Sequence, residues 1–220
     1  MKGEIVSIAN SSDPYPNIEA ESGLTRKCLE ILSNCDCKLQ MITKSDLVVR
    51  DIDLLRKVPS MVSLTITTDD DKVARIIEPQ APSPSQRLKA ARTLIKRNIP
   101  TSVRIDPIIP FINDNPETLM KTLARMSVKH VTCSTYKIKR DNWQRFKHAY
   151  PEIAKRLEPF YFEKGEKIGG YTYLPRKLRL ELMMAVRGLA KKYGMHFGVC
   201  REGLSHLNAA SCDGSWMLYE

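Results

Sequence analysis

Five short β-branched runs in this chain each end in residues able to hold a polar ligand. Ser11-Ser12-Asp13 follows Ile5-Val6-Ser7-Ile8-Ala9-Asn10, and Thr43-Lys44-Ser45 closes the run that begins at Lys38. Thr65 and Thr67 end the run from Met61, Arg104 and Asp106 the run from Thr101, and Thr135-Tyr136 the run from Val131. Hydroxyls, a lysine, an arginine and acids in such a set suit a ligand carrying both a carboxylate and an amine or ribose. Lys44 would pair with the carboxylate, and Asp13 or Asp106 with the amine or hydroxyls. The same residues also solvate the rim of any barrel, so their convergence is the signal rather than any one of them. Other chemistries are absent: the sequence holds no nucleophile elbow, no Walker loop, no dinucleotide fingerprint and no HExxH pair. Its ten glycines do not cluster at a strand tip, which argues against a glycine-rich phosphate cradle. His196, Cys200, His206 and Cys212 form an H-x3-C-x5-H-x5-C series of zinc-binding residue types, at a spacing that matches no common site; buried thiols and turn residues are the plainer reading.

The elements that must position these tips follow from periodicity. Strands are expected over residues 5–10, 38–43, 61–67, 101–105 and 131–136. Helices are expected over 21–32, 51–57, 73–77, from Ser83-Pro84 through Ile95, over 116–126 and over 175–193. Ser83 followed by Pro84 is the favoured cap-then-proline start. Strands alternate with helices of about ten residues, and no hairpin dipeptide separates two strands, so parallel βα units follow. Right-handed crossovers curl such units into an open or partial barrel whose ligand sits at the carboxyl ends of the strands. After Tyr136 the rhythm changes: residues 137–157 are basic and aromatic, 165–173 reads as a glycine-containing loop, and the tail from His196 reads as irregular.

The 220 residues carry a net charge of +10, unevenly spread. Residues 121–195 hold 18 Lys/Arg against 6 Asp/Glu, and the remainder holds 17 against 19. A basic second half suits a polyanionic partner such as nucleic acid, or is simply a solvated face. No stretch of eighteen apolar residues occurs, so no membrane span is expected, and no signal peptide pattern opens the chain; a cytoplasmic protein is the default. The six cysteines are too sparse for a disulfide framework.

With the strand tips in place, the sequence resembles the radical S-adenosylmethionine proteins of the spore photoproduct lyase and "DNA repair photolyase" group. The matching segments are Ser11-Ser12-Asp13-Pro14-Tyr15, Thr43-Lys44-Ser45 and Ser63-Leu64-Thr65-Ile66-Thr67-Thr68. They continue with Glu78-Pro79-Gln80-Ala81-Pro82-Ser83 and Arg87-Leu88, then Asp106-Pro107-Ile108-Ile109-Pro110, and close with Cys200-Arg201-Glu202-Gly203 and Cys212-Asp213-Gly214-Ser215. The resemblance implies an α/β fold, a partial (β/α) barrel of about five parallel units with the first unit missing, over residues 1–140. A basic, helix-rich extension over 141–220 would pack on it. It implies S-adenosylmethionine as cofactor, with Ser12, Lys44 and Thr65 lining its site and Asp13, Arg104 and Asp106 as further candidates. It also implies a [4Fe–4S] cluster held by a CxxxCxxC loop after the family's first strand. No CxxxCxxC occurs among cysteines 28, 35, 37, 133, 200 and 212, so a truncated form without cluster ligands of its own is expected. The repair lyase has a hydrogen-donating cysteine just before the Ser-Asp segment, and Asn10 stands at the matching place. Two other readings compete: a non-catalytic basic barrel binding nucleic acid, and an unrelated barrel using Lys44 and the acids for acid–base work. The first strand's open side is expected to be covered by a second copy, a partner chain or the C-terminal tail.

Overall fold

Alternating side chains along six strands give the sheet one greasy face and one polar face. A computed structural model describes residues 3–8 and 12–220. Strands β1 (Ile5–Ile8), β2 (Lys38–Thr43), β3 (Ser60–Thr65), β4 (Thr101–Ile108) and β5 (His130–Thr135) run in sequence order, each parallel to the next. A short antiparallel hairpin, β6 (Glu166–Ile168) and β7 (Tyr171–Tyr173), stands apart, and β8 (His196–Val199) pairs in parallel with β5 as the sixth strand of the main sheet. The connections carry α1 (Glu19–Ser22), α2 (Leu24–Leu32), α3 (Ile52–Leu55), α4 (Asp71–Ile77), α5 (Pro84–Lys96), α6 (Glu117–Arg125), α7 (Arg140–Ala149), α8 (Pro151–Phe162) and α9 (Arg176–Lys192).

The alternating parallel α/β order matches the expectation, and the sheet has one strand more. His196–Val199 was expected in an irregular tail. It is instead an edge strand, placed beside β5 by the α9 crossover, so the sheet takes its sixth strand from beyond residue 140. The glycine-containing loop over 165–173 is the β6–β7 hairpin. The helix expected over 21–32 is two helices, because Gly23 adopts a left-handed φ of 61° that breaks the turn. Asn10 and Ser11, and with them the expectation about Asn10, lie outside the described residues.

Leu39 and Met41, Val62 and Leu64, Val103 and Ile105, Val131 and Cys133, and Phe197 and Val199 turn to the helices and form one buried core with Leu29, Leu94, Leu123 and Val186. The intervening residues occupy the inner face: Gln40, Ser63, Thr65, Ser102, Arg104, Thr132 and Gly198. Parallel register ranks them in rows, with Thr65 beside Arg104, Arg104 beside Thr132 and Thr132 beside Gly198.

The end of the chain fills the N-terminal half of this inner face. Met217 and Leu218 pack on Met61, with Ile5 and Trp216 at the edge of that cluster. Thr132 donates to the Cys212 carbonyl at 3.0 Å. A Cβ built on Gly198 would lie 2.4 Å from the same carbonyl oxygen, so only glycine lets the tail come this close. With the lower half plugged, the polar residues of the upper half open at the carboxyl ends of the strands.

Candidate functional site

Each strand tip was expected to offer its polar group to a ligand; several offer it to one another. Asp13 accepts from the Tyr15 N–H (3.0 Å), the Thr43 hydroxyl (2.6 Å) and the Lys44 N–H (2.7 Å). Its carboxylate therefore ties the loop after β1 to the tip of β2. Thr43 in turn accepts from the Ser45 N–H, and Ser45 caps the following 3-10 turn by accepting from the Leu47 N–H. These bonds fix the backbone of Lys44 and leave its side chain pointing onward, 41% exposed, with Nζ 3.4 Å from Glu78 Oε1.

Glu78 is the hub that residue spacing alone passes over. It follows α4, is almost buried, and accepts from Thr67 (2.7 Å) as well as Arg87 (2.6 Å). Arg87, 1% exposed on α5, also donates to the carbonyls of Pro82 (2.7 Å) and Thr65 (3.1 Å). Thr65, Thr67, Lys44 and the turn at Pro82 are thus gathered on one ion pair. The sequence signal was present in the Glu78-Pro79 and Arg87 segments, but nothing local says that two residues nine apart face each other. Asn113 makes the next tie, donating to the carbonyls of Thr67 (2.7 Å) and Pro107 (3.0 Å) and so joining the tips of β3 and β4.

Arg104 and Asp106 form the second group. Arg104 Nη2 donates to Asp106 Oδ2 at 2.8 Å, and Ser134 of β5 donates to Asp106 Oδ1. A register shift between Ile105 and Ile108 inserts an extra residue here and turns Asp106 toward β5. Burial works against the Asp106 charge, but the Arg104 guanidinium, the Ser134 hydroxyl and the Lys137 ammonium outweigh it and hold the carboxyl below its ordinary range. Cys200, at the tip of β8, is near enough to Arg104 to favour its charge.

Glu202 closes the ring. Fully buried, it accepts from the Thr135 N–H (2.7 Å) and Lys137 (2.6 Å), while its carbonyl accepts from the buried Arg179 of α9. The Cys200-Arg201-Glu202-Gly203 segment therefore anchors the sixth strand to the fifth and to α9.

Of the six candidates, Lys44 and Thr65 meet through the Glu78–Arg87 pair. Ser12 is exposed beside Asp13. Asp13 and Asp106 are engaged by protein donors, which makes them poor partners for a ligand amine and good positioners of their neighbours. Among the described residues no group of three or more His, Cys, Asp or Glu side chains could hold a metal ion, so the cysteine–histidine series at 196–212 does not assemble into such a site. No helix is long and apolar enough to cross a membrane.

The family model of the radical SAM superfamily matches residues 3–126. An uncharacterized protein of Methanocaldococcus jannaschii is 41% identical over 117 residues, which span 52% of this chain and 44% of that protein. An uncharacterized protein of Acidianus two-tailed virus is 34% identical over 139 residues, spanning 59% and 45%. A third, from Mycobacterium bovis, is 25% identical over 201 residues, spanning 86% and 57%. The chain thus spans about half the length of these relatives. A spore photoproduct lyase mutant with bound AdoMet and dinucleoside spore photoproduct superposes with a TM-score of 0.70 at 19% identity, over 89% of this chain and 61% of the lyase. A second lyase mutant gives 0.71 at 18% identity, over 90% and 62%. These likenesses establish a shared fold.

Proposed function

This chain belongs to the radical SAM superfamily, and from that premise we propose that its strand tips form the S-adenosylmethionine-binding side of a spore photoproduct lyase-like enzyme. The observation that carries this reading is the 41% exposed Lys44 side chain at the mouth of the polar inner face, its backbone fixed by Asp13 and its ammonium 3.4 Å from Glu78. Lys44 pairs with the carboxylate of the cofactor's methionine end, and the Thr65 and Ser12 hydroxyls bond its polar groups. Asp13 fixes the Lys44 backbone, and Arg104 with Asp106 forms a charged wall on the β4 side. When bound, S-adenosylmethionine supplies the family's carbon radical after one-electron cleavage. The residues of this chain orient it and shield it from water.

The [4Fe–4S] cluster that the family implies would supply the electron, and among the described residues no group of three or more His, Cys, Asp or Glu side chains is placed to hold a metal ion. A segment outside this chain, or a partner, is proposed to bring the ligands and to pack beside the edge strand β1. Residues 141–195 are proposed to act as a basic, helix-rich extension on the sheet, which β8 beyond them completes.

Calorimetry of S-adenosylmethionine binding to the cluster-free chain tests the reading. Lys44→Met and Thr65→Val are each expected to weaken binding about tenfold, the value of a charge-assisted or buried hydrogen bond. Unchanged affinity in both variants rejects the assignment. A second reading, electrostatic binding of nucleic acid, is favoured by the basic surplus over residues 121–195. It requires affinity that falls steeply with added salt, and a flat salt profile rejects it.

A further inference from the structure

A cleft of about 700 Å3 opens beside the strand tips, between the turn after α4 and helix α7. Its two linings differ in kind. Ile77 and Pro79 supply aliphatic surface, and Tyr136, Phe146 and Tyr150 supply aromatic surface. The three rings form a ladder, with centroids 5.3 Å apart from Tyr136 to Phe146 and 5.6 Å from Phe146 to Tyr150, inclined by 36° and 38°. A slot with an aromatic side and an aliphatic side suits a flat ring.

The polar groups narrow the ligand further. The Tyr136 hydroxyl is satisfied, donating to the Asn142 carbonyl at 3.1 Å. The Tyr150 hydroxyl is buried and has no hydrogen-bond partner. Burial, and then the Asp70 carboxylate, push the Tyr150 phenol up from its ordinary range, so it stands as an O–H donor without an acceptor. Buried donors are rarely left so, and a ligand acceptor would answer it. Arg145 lines the same cleft with a side chain 77% exposed. Its ion pair with Asp141, at 2.8 Å, is equally exposed and holds it weakly.

We propose that this cleft binds a small planar aromatic anion. The ring lies against the Tyr136–Phe146–Tyr150 surface, a ring acceptor takes the Tyr150 O–H, and the carboxylate or phosphate meets Arg145. Lys44 and Glu78 also line the cleft, so it adjoins the contact proposed between Lys44 and the cofactor, while the ring and anion contacts are made by other residues, away from Thr65 and Ser12.

Calorimetry on the cofactor-free chain tests it with adenosine monophosphate, uridine monophosphate and indole-3-carboxylate, and with uridine and indole as uncharged controls. The anions are expected to bind more tightly than the controls. Binding of the nucleotides alone assigns the anion to phosphate, and binding of the indole acid alone assigns it to carboxylate. Tyr150→Phe is expected to weaken anion binding about three- to tenfold while the melting temperature of the free protein stays level or rises, because an unanswered hydroxyl is removed. Arg145→Gln is expected to weaken the anions and leave uridine and indole unchanged. Ala149→Trp, at an exposed position lining the cleft, is expected to abolish binding without loss of stability. Thr65→Val, which tests the cofactor site, is expected to leave these probes unaffected. Absence of binding by all three anions at millimolar concentration, or undiminished binding by Tyr150→Phe, overturns the proposal. So does displacement of the probes by S-adenosylhomocysteine, which would make the cleft part of the cofactor's own site.

Discussion

Removing the Glu78 carboxylate should loosen the strand tips and destabilise the whole chain. Arg87 is 1% exposed and the Glu78 side chain 8%, so water cannot take over the guanidinium when its partner goes. Breaking one side of such a buried pair costs about 3–5 kcal/mol, because the remaining charge is stranded. Arg87 already carries one buried nitrogen, Nη2, without a partner, which leaves it little margin. Glu78→Ala is therefore expected to lose about 4 kcal/mol, or roughly 10 °C of melting temperature for a chain of this size. Arg87→Met should lose less, about 2 kcal/mol, since Glu78 keeps Thr67 at 2.7 Å and Lys44 at 3.4 Å. The double variant strands neither charge, so it should be less destabilised than the sum by about 2 kcal/mol. Urea titrations followed by circular dichroism measure all three. A Glu78→Ala loss below about 1 kcal/mol, or strict additivity in the double variant, would refute the claim that this pair organises the tips.

Other outcomes follow from the plugged inner face and from buried titrating groups. His130 accepts from the Trp216 N–H at 3.1 Å; burial, then the neighbouring His196, bring its pKa down from 6.5 to about 4. The unfolded chain then binds the proton first, so this contribution is complete above pH 6.5 and lost as pH falls toward 4. It amounts to roughly 3 kcal/mol, and urea midpoints should show the decline in wild type and lack it in His130→Gln. Glu19 is buried, which alone would raise its carboxyl, but the Thr25 N–H, Arg50 and the Arg26 N–H bring it down from 4.5 to about 2. Its contribution holds above pH 4.5 and disappears as pH falls toward 2, and Glu19→Gln should flatten that acid limb. Gly198→Ala places a methyl group 2.4 Å from the Cys212 carbonyl, so limited proteolysis should cut the tail after residue 200 faster than in wild type. Equal cleavage rates would show that the tail does not rest on β8.

The sequence by itself determined the repeating parallel unit. β-branched runs bounded by caps and prolines are local signals, and the bounds expected for β2 and the start of α5 coincide with those observed. Strand tips, and so the neighbourhood of the site, were legible for the same reason. β8 was not: four residues including Gly198 are too few for a period to show, and their place beside β5 depends on where α9 returns the chain. Nor could spacing tell an offered carboxylate from an occupied one. Asp13 and Asp106 read as ligand groups until donors from neighbouring strands were found on them. Glu78 and Arg87 read as one segment among several, until burial made them the pair on which Thr65, Thr67 and Lys44 depend. Residue types and tip positions are written in sequence order, whereas hydrogen-bond partners are chosen by strand register and burial, and these exist only once the sheet has closed its rows.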